Sequence, residues 1–88
     1  MTEFDTSFSP EKKDELSARL FISKEIPDFG KEIDKVDYTD GCKVYFKDDS
    51  WIVARFSGTE PLMRIFCEAA DEREALKLTD IWRRSLGL

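Results

Sequence analysis

The residues of this chain best suited to chemistry lie in one short run, Arg55-Phe56-Ser57-Gly58-Thr59-Glu60-Pro61. A phosphate dianion needs several donors converging from one side, and this run offers them. Arg55 presents a planar fork that bonds two oxygens at once, and Ser57 and Thr59 add hydroxyls. Gly58 permits positive φ, so that successive N–H groups around Ser57, Gly58 and Thr59 can point into one concavity. Arg64, a little further on, is a second candidate cation, and Pro61 fixes the exit from the run. Glu60 works against an anion and has to turn aside. The plainer reading is a polar turn, since Ser, Gly and Thr are chosen for turns in any case; the two arginines weigh against it.

Other chemistries find less support. With no histidine among 88 residues, the chain holds no Ser-His or Cys-His nucleophile and no His-ligated metal. Cys42 and Cys67 are too few for a disulfide framework or a zinc site and read as buried, reduced thiols. The carboxylates are scattered, so neither a catalytic residue nor a metal site is assigned. Fourteen Lys and Arg against nineteen Asp and Glu leave a net charge of −5, which repels a nucleic-acid backbone. No apolar run approaches the roughly 20 residues of a membrane span, and Met1-Thr2-Glu3-Phe4-Asp5 lacks the basic start of a signal peptide. The expectation is a cytoplasmic protein that binds neither nucleic acid nor membrane.

The elements that must position the run follow from periodicity. Residues 1–8 show neither caps nor a clear period and read as a flexible lead-in or linker remnant, leaving 9–88 as a single domain. Ser9-Pro10-Glu11 starts a helix over about residues 10–24, with Ser9 as N-cap and Leu16, Leu20 and Phe21 as its stripe. Ile33, Val36 and Tyr38 suggest a short strand. After the Asp40-Gly41 turn, 42–47 alternates with Cys42, Val44 and Phe46 inward, and 51–56 forms its hairpin partner. A fourth strand, 63–69, turns Met63, Ile65, Cys67 and Ala69 to the core. Asp71 and Glu74 have capping-box spacing before a last helix with Ala75, Leu78, Trp82 and Leu86 inward. The order is α-β-β-β-β-α: an α+β fold with a four-stranded antiparallel sheet and two helices. Tyr45, Trp51 and Phe66 share the other sheet face and suit packing against neighbouring domains better than base stacking. Lys12-Lys13 and Arg83-Arg84 read as solvated helix faces.

Arg-x-Ser-Gly-Thr-Glu-Pro at 55–61, followed by Arg64 and Glu68-Ala69 and preceded by Asp40-Gly41-Cys42-Lys43 and Trp51, resembles the C-terminal, TBP-like domain of the α-D-phosphohexomutases. That family contains phosphoglucomutase, phosphomannomutase and the phosphoglucosamine mutases. The likeness covers roughly residues 30–80. It implies a domain that closes over an active-site cleft and clamps the phosphate already on a phosphosugar, through Arg55, Ser57, Gly58 and Thr59, with Arg64 less closely matched. The implied substrates are hexose 1-phosphate, hexose 6-phosphate and the bisphosphorylated intermediate. The transferred phosphoryl group, on a phosphoserine, and the Mg2+ ion belong to other domains of such an enzyme, so this chain alone is expected to be inactive. Phe56 departs from the proline common at its position. The alternative from another class is a stand-alone α+β protein-interaction domain in which Ser-Gly-Thr-Glu-Pro is a structural turn.

Overall fold

Alternation over five stretches builds one antiparallel sheet: β1 (Thr2–Ser7), β2 (Ile33–Asp37), β3 (Cys42–Phe46), β4 (Trp51–Phe56) and β5 (Leu62–Glu68). The computed structural model describes residues 1–58 and 60–88. In space the strands run β1-β5-β4-β3-β2. Register puts Val44 opposite Ile52 and Cys42 opposite Ala54, then Ala54 opposite Ile65 and Ile52 opposite Cys67. These residues therefore share one face, and all are fully buried. Their neighbours Lys43, Tyr45, Trp51, Arg55, Arg64 and Phe66 fall on the other.

The sheet has five strands rather than the expected four. Residues 2–7 of the supposed lead-in pair with β5 from Thr2 opposite Cys67 to Ser7 opposite Leu62. Their pattern of intermediate and exposed positions is that of an edge strand with one half-covered face. Phe4, opposite Ile65, packs against the core.

The helical layer covers the buried face. A 3-10 turn (Pro10–Lys12), α1 (Lys13–Ser17) and a π turn (Ala18–Ile22) form one continuous helical stretch. Pro10 takes the first position, as Ser9-Pro10 suggested, but the Ser9 hydroxyl makes no cap bond; its carbonyl accepts from the Lys12 N–H instead, at 2.9 Å. Leu16 and Leu20 are buried. In the π turn the Ser23 N–H reaches the Ala18 carbonyl five residues back, at 2.8 Å. That widening adds about one residue to the turn and carries Ile22 off the stripe, leaving it 80% exposed.

α2 (Glu72–Ser85) buries Ala75, Leu78 and Trp82 along the expected stripe. Its capping box is half made. The Asp71 carboxylate accepts from the Glu74 N–H at 2.8 Å, while the Glu74 carboxylate turns away to Lys31.

Lys31 joins three segments distant in sequence. Its ammonium donates to Glu74 Oε1 at 2.6 Å and to Ser50 Oγ at 2.8 Å, and pairs with Asp48 Oδ2 at 2.5 Å. The β3–β4 turn, the approach to β2 and the start of α2 are thereby tied together. Burial alone would lower the Lys31 pKa, but hydrogen bonds to Asp48 and Glu74 outweigh it and raise the value above its ordinary 10.5. Hydrogen bonds from Lys31 and Ser50 hold the Asp48 carboxyl well below the usual carboxylate range. Cys42 and Cys67 are buried free thiols, both pushed up to about 11 by burial, too high for a nucleophile at neutral pH.

The signs of these shifts set a pH window. Asp48, lowered on folding, contributes stability that is complete above the unfolded carboxylate value near ~4 and fades as pH falls through its folded value. Lys31, raised on folding, contributes fully below its unfolded value and fades as pH rises through the folded one. Urea melts should therefore show a plateau between about pH 5 and 9 with loss on both sides. Lys31→Met should lower the plateau by about 1–3 kcal/mol, between an exposed and a buried ion pair, and make the alkaline limb shallower, the remainder coming from Cys42 and Cys67, whose raised values act in the same direction. An unchanged alkaline limb in Lys31→Met would remove the network from this role.

Candidate functional site

The 55–61 run emerges where β4 hands over to β5. The last ladder pair is Phe56 with Met63, and beyond it the Ser57 N–H donates to the Leu62 carbonyl at 2.8 Å. That bond closes the loop at its base. It also corrects the expected donor set, because the Ser57 N–H is spent on the loop and does not face an anion. At the far side the Phe8 N–H donates to the Pro61 carbonyl at 3.1 Å, so the link from β1 to α1 braces the exit.

Arg55 is exposed and stands on the helix-free side of the sheet, directly opposite Arg64 on β5. Like charges facing across a ladder repel. Arg64 is relieved by Glu3 of β1, at 3.6 Å from Oε1. Arg55 forms no ion pair among the described residues and lines a cavity of about 260 Å³ with Phe21, Asp40, Gly41 and Phe56. The two arginines thus differ in availability. Among the described residues Arg64 has a carboxylate partner and Arg55 has none.

Gly58 is exposed, its φ is not positive, and a Cβ there would meet nothing within 4 Å beyond its chain neighbours. Left-handed backbone, expected from the sequence, is therefore not why glycine stands here. What glycine leaves is open space in front of the backbone, which favours close approach of a ligand. Thr59 lies outside the described residues. Ser57 and Gly58 border a second cavity of about 220 Å³, shared with Glu60, Pro61, Pro10 and Lys13.

Residues 10–84 match the family model for the phosphoglucomutase/phosphomannomutase C-terminal domain. The chain belongs to this family. A phosphoglucomutase/phosphomannomutase of Thermococcus kodakarensis is 49% identical over 47 residues, covering 53% of this chain and 10% of the relative. A probable phosphoglucosamine mutase of Methanopyrus kandleri gives the same identity and coverage: 49%, 47 residues, 53% and 10%. One of Methanothermobacter thermautotrophicus is 37% identical over 65 residues, covering 74% of this chain and 14% of the relative. The chain thus spans about a tenth to a seventh of the length of these relatives.

Within this family domain the decisive glycine is one that the sequence marked only as a turn. Gly41 has φ +113, and a Cβ on it would lie 2.6 Å from the Ala54 carbonyl oxygen and 2.9 Å from Arg55 Cβ. Only a bare Cα lets the β2–β3 turn press against the end of β4 and seat Arg55. The signal was present as Asp40-Gly41; its contact with β4, thirteen residues on, was not readable. Among the described residues no three Asp, Glu or Cys side chains gather to hold a metal; the magnesium ion implied by the family resemblance belongs, by that resemblance, to another domain.

The two glycines separate structure from function. Gly41→Ala should destabilise the fold by about 2 kcal/mol or more, from both φ and contact. Gly58→Ala should change stability by no more than about 0.5 kcal/mol, as at an unconstrained surface position, yet weaken binding of a phosphate ester. Thermal melts with parallel chemical-shift titrations check both. A Gly58→Ala variant that melted as early as Gly41→Ala would give Gly58 a structural cause.

Proposed function

We propose that this domain holds the phosphate group of a phosphosugar within a phosphoglucomutase/phosphomannomutase that interconverts hexose 1-phosphate and hexose 6-phosphate. One observation carries the reading: an arginine without a carboxylate partner among the described residues stands beside a loop glycine with open space before it, in a chain of this family. Arg55 supplies the fork, Gly58 lets the phosphate oxygens approach, and Ser57 and Thr59 contribute hydroxyls. Arg64 acts behind them as a charge that Glu3 moderates. The phosphoserine, Mg2+ and sugar-reading groups belong to the other domains, and the parent enzyme works in the cytoplasm. This chain alone binds without turning over.

An interaction domain built on the open sheet face has less support. Lys43 Nζ lies 4.3 Å from the Trp51 ring centroid and 4.9 Å from that of Tyr45, and Lys35 lies 4.9 Å from Tyr45. Trp51 Nε1 donates to Glu68 Oε2 at 3.1 Å. The aromatic surface is already covered by the chain's own side chains.

Glucose 6-phosphate titrated into the isolated chain should bind weakly and salt-sensitively, shifting amides at 55–64, because an exposed anion site is screened. In the full-length parent enzyme, where closure excludes water, Arg55→Ala should lower kcat/KM by about tenfold to a hundredfold, the worth of a charge-assisted hydrogen bond. Arg55→Lys should recover only part, since the ammonium keeps the charge and loses the fork. Shifts that bypass 55–64, together with an unchanged kcat/KM in Arg55→Ala, would refute the assignment.

A further inference from the structure

Resting on the phosphate reading above, we infer that Lys13, and not Arg64, is the second cation of the phosphate site. A single arginine is a thin complement for a dianion, and the cavity beside the loop also carries the carboxylate of Glu60. The charge balance there calls for another cation. Arg64 is the obvious choice by sequence, but it already has a carboxylate partner in Glu3, at 3.6 Å.

Lys13 comes from the other layer. It opens α1, it is exposed, and its side chain borders the same 220 Å³ cavity as Ser57 and Gly58. Among the described residues it forms no ion pair. Its Nζ lies over the Phe56 ring, 5.8 Å from the centroid, a cation–π contact that holds the ammonium beside the start of the loop. Phe56 is itself fixed edge-on against Phe8, with ring centroids 5.8 Å apart, and tilted against Phe21 at 6.2 Å. Arg55 and Phe56 line one cavity, Lys13 lines the other with Ser57 and Gly58, and the Lys13 Nζ over the Phe56 ring links the two. An ammonium at the cavity also offsets Glu60, whose charge would otherwise repel the anion. Lys12, the preceding residue, does not line the cavity and serves as the matched control.

The test uses the 88-residue chain and glucose 6-phosphate as probe, with inorganic phosphate and unphosphorylated glucose alongside. Lys13→Met keeps the stem and removes the charge. It should weaken the Kd for glucose 6-phosphate about two- to fivefold, the scale of one exposed ion contact, and reduce the dependence of Kd on salt. Lys13→Arg should restore both. Lys12→Met should change neither, and amide spectra away from the loop should superimpose for every variant. A structural role for Lys13 would move those spectra without moving the salt dependence. If Arg55→Ala abolishes the shifts while Lys13→Met matches Lys12→Met, Lys13 is not a ligand and the phosphate reading stands. If the unsubstituted chain shows no shifts at 55–64, the phosphate reading falls, and the role of Lys13 with it.

Discussion

The register of β4 on β5 is the constraint on which the rest depends. Trp51 pairs with Glu68 and each later pair follows in step to Phe56 with Met63. Because side chains alternate with period two, a slip of one residue would drive Arg55 into the core and bring Ala54 out. Register is therefore held by the burial of Ile52, Ala54, Met63, Ile65 and Cys67 together. The same register positions the loop that follows β4. Once the apolar face is satisfied, Arg55 must lie on the far side, Ser57 must meet Leu62, and the four residues between them must form the connection. Site and core are two faces of one ladder.

What could be read in advance was what strand and helix periods encode. Cys42, Val44 and Phe46 turned inward, as did Met63, Ile65 and Cys67, and the α2 stripe reached the core at all four positions. β1 escaped because an edge strand needs only one covered face, and Thr2, Phe4 and Thr6 place a single large apolar side chain on it. Its alternation of small or aromatic residues with Glu3 and Asp5 was a signal, but one without caps or a turn to frame it. Lys31 escaped for a different reason. Its bonds run to Asp48, Ser50 and Glu74, the last 43 residues away, and no local pattern announces a side chain that bridges such distances. The π turn was equally silent, because no residue type or spacing in Ala18–Ile22 marks an extra residue in a helical turn.

Gly41 and Gly58 show that two glycines near one arginine can stand there for different reasons. Both flank Arg55 and both belong to turns. Gly41 is needed from within, because the chain's own backbone occupies the space a side chain would take. Gly58 is not needed from within at all. Neither φ nor any neighbour requires glycine there, and the proposed phosphate role would supply a cause from outside the chain. The reading from sequence assigned positive φ to the wrong member of the pair.

The reading also bears on how one domain serves several sugars. The relatives named for phosphoglucomutase/phosphomannomutase activity and for phosphoglucosamine mutase activity match this chain equally, at 49% over 47 residues each. A segment that recognised the sugar ring would need polar groups matched to its hydroxyl or amino substituents, because a buried donor or acceptor left unpaired is costly. The groups gathered here are of another kind: a guanidinium, an ammonium, a bare backbone and hydroxyls on a short loop, all suited to an anion and none tied to a particular ring. On the proposed reading they add binding energy without discriminating between sugars. Equal identity to relatives of different printed names accords with a domain whose proposed task lies at the phosphate end and not at the sugar ring.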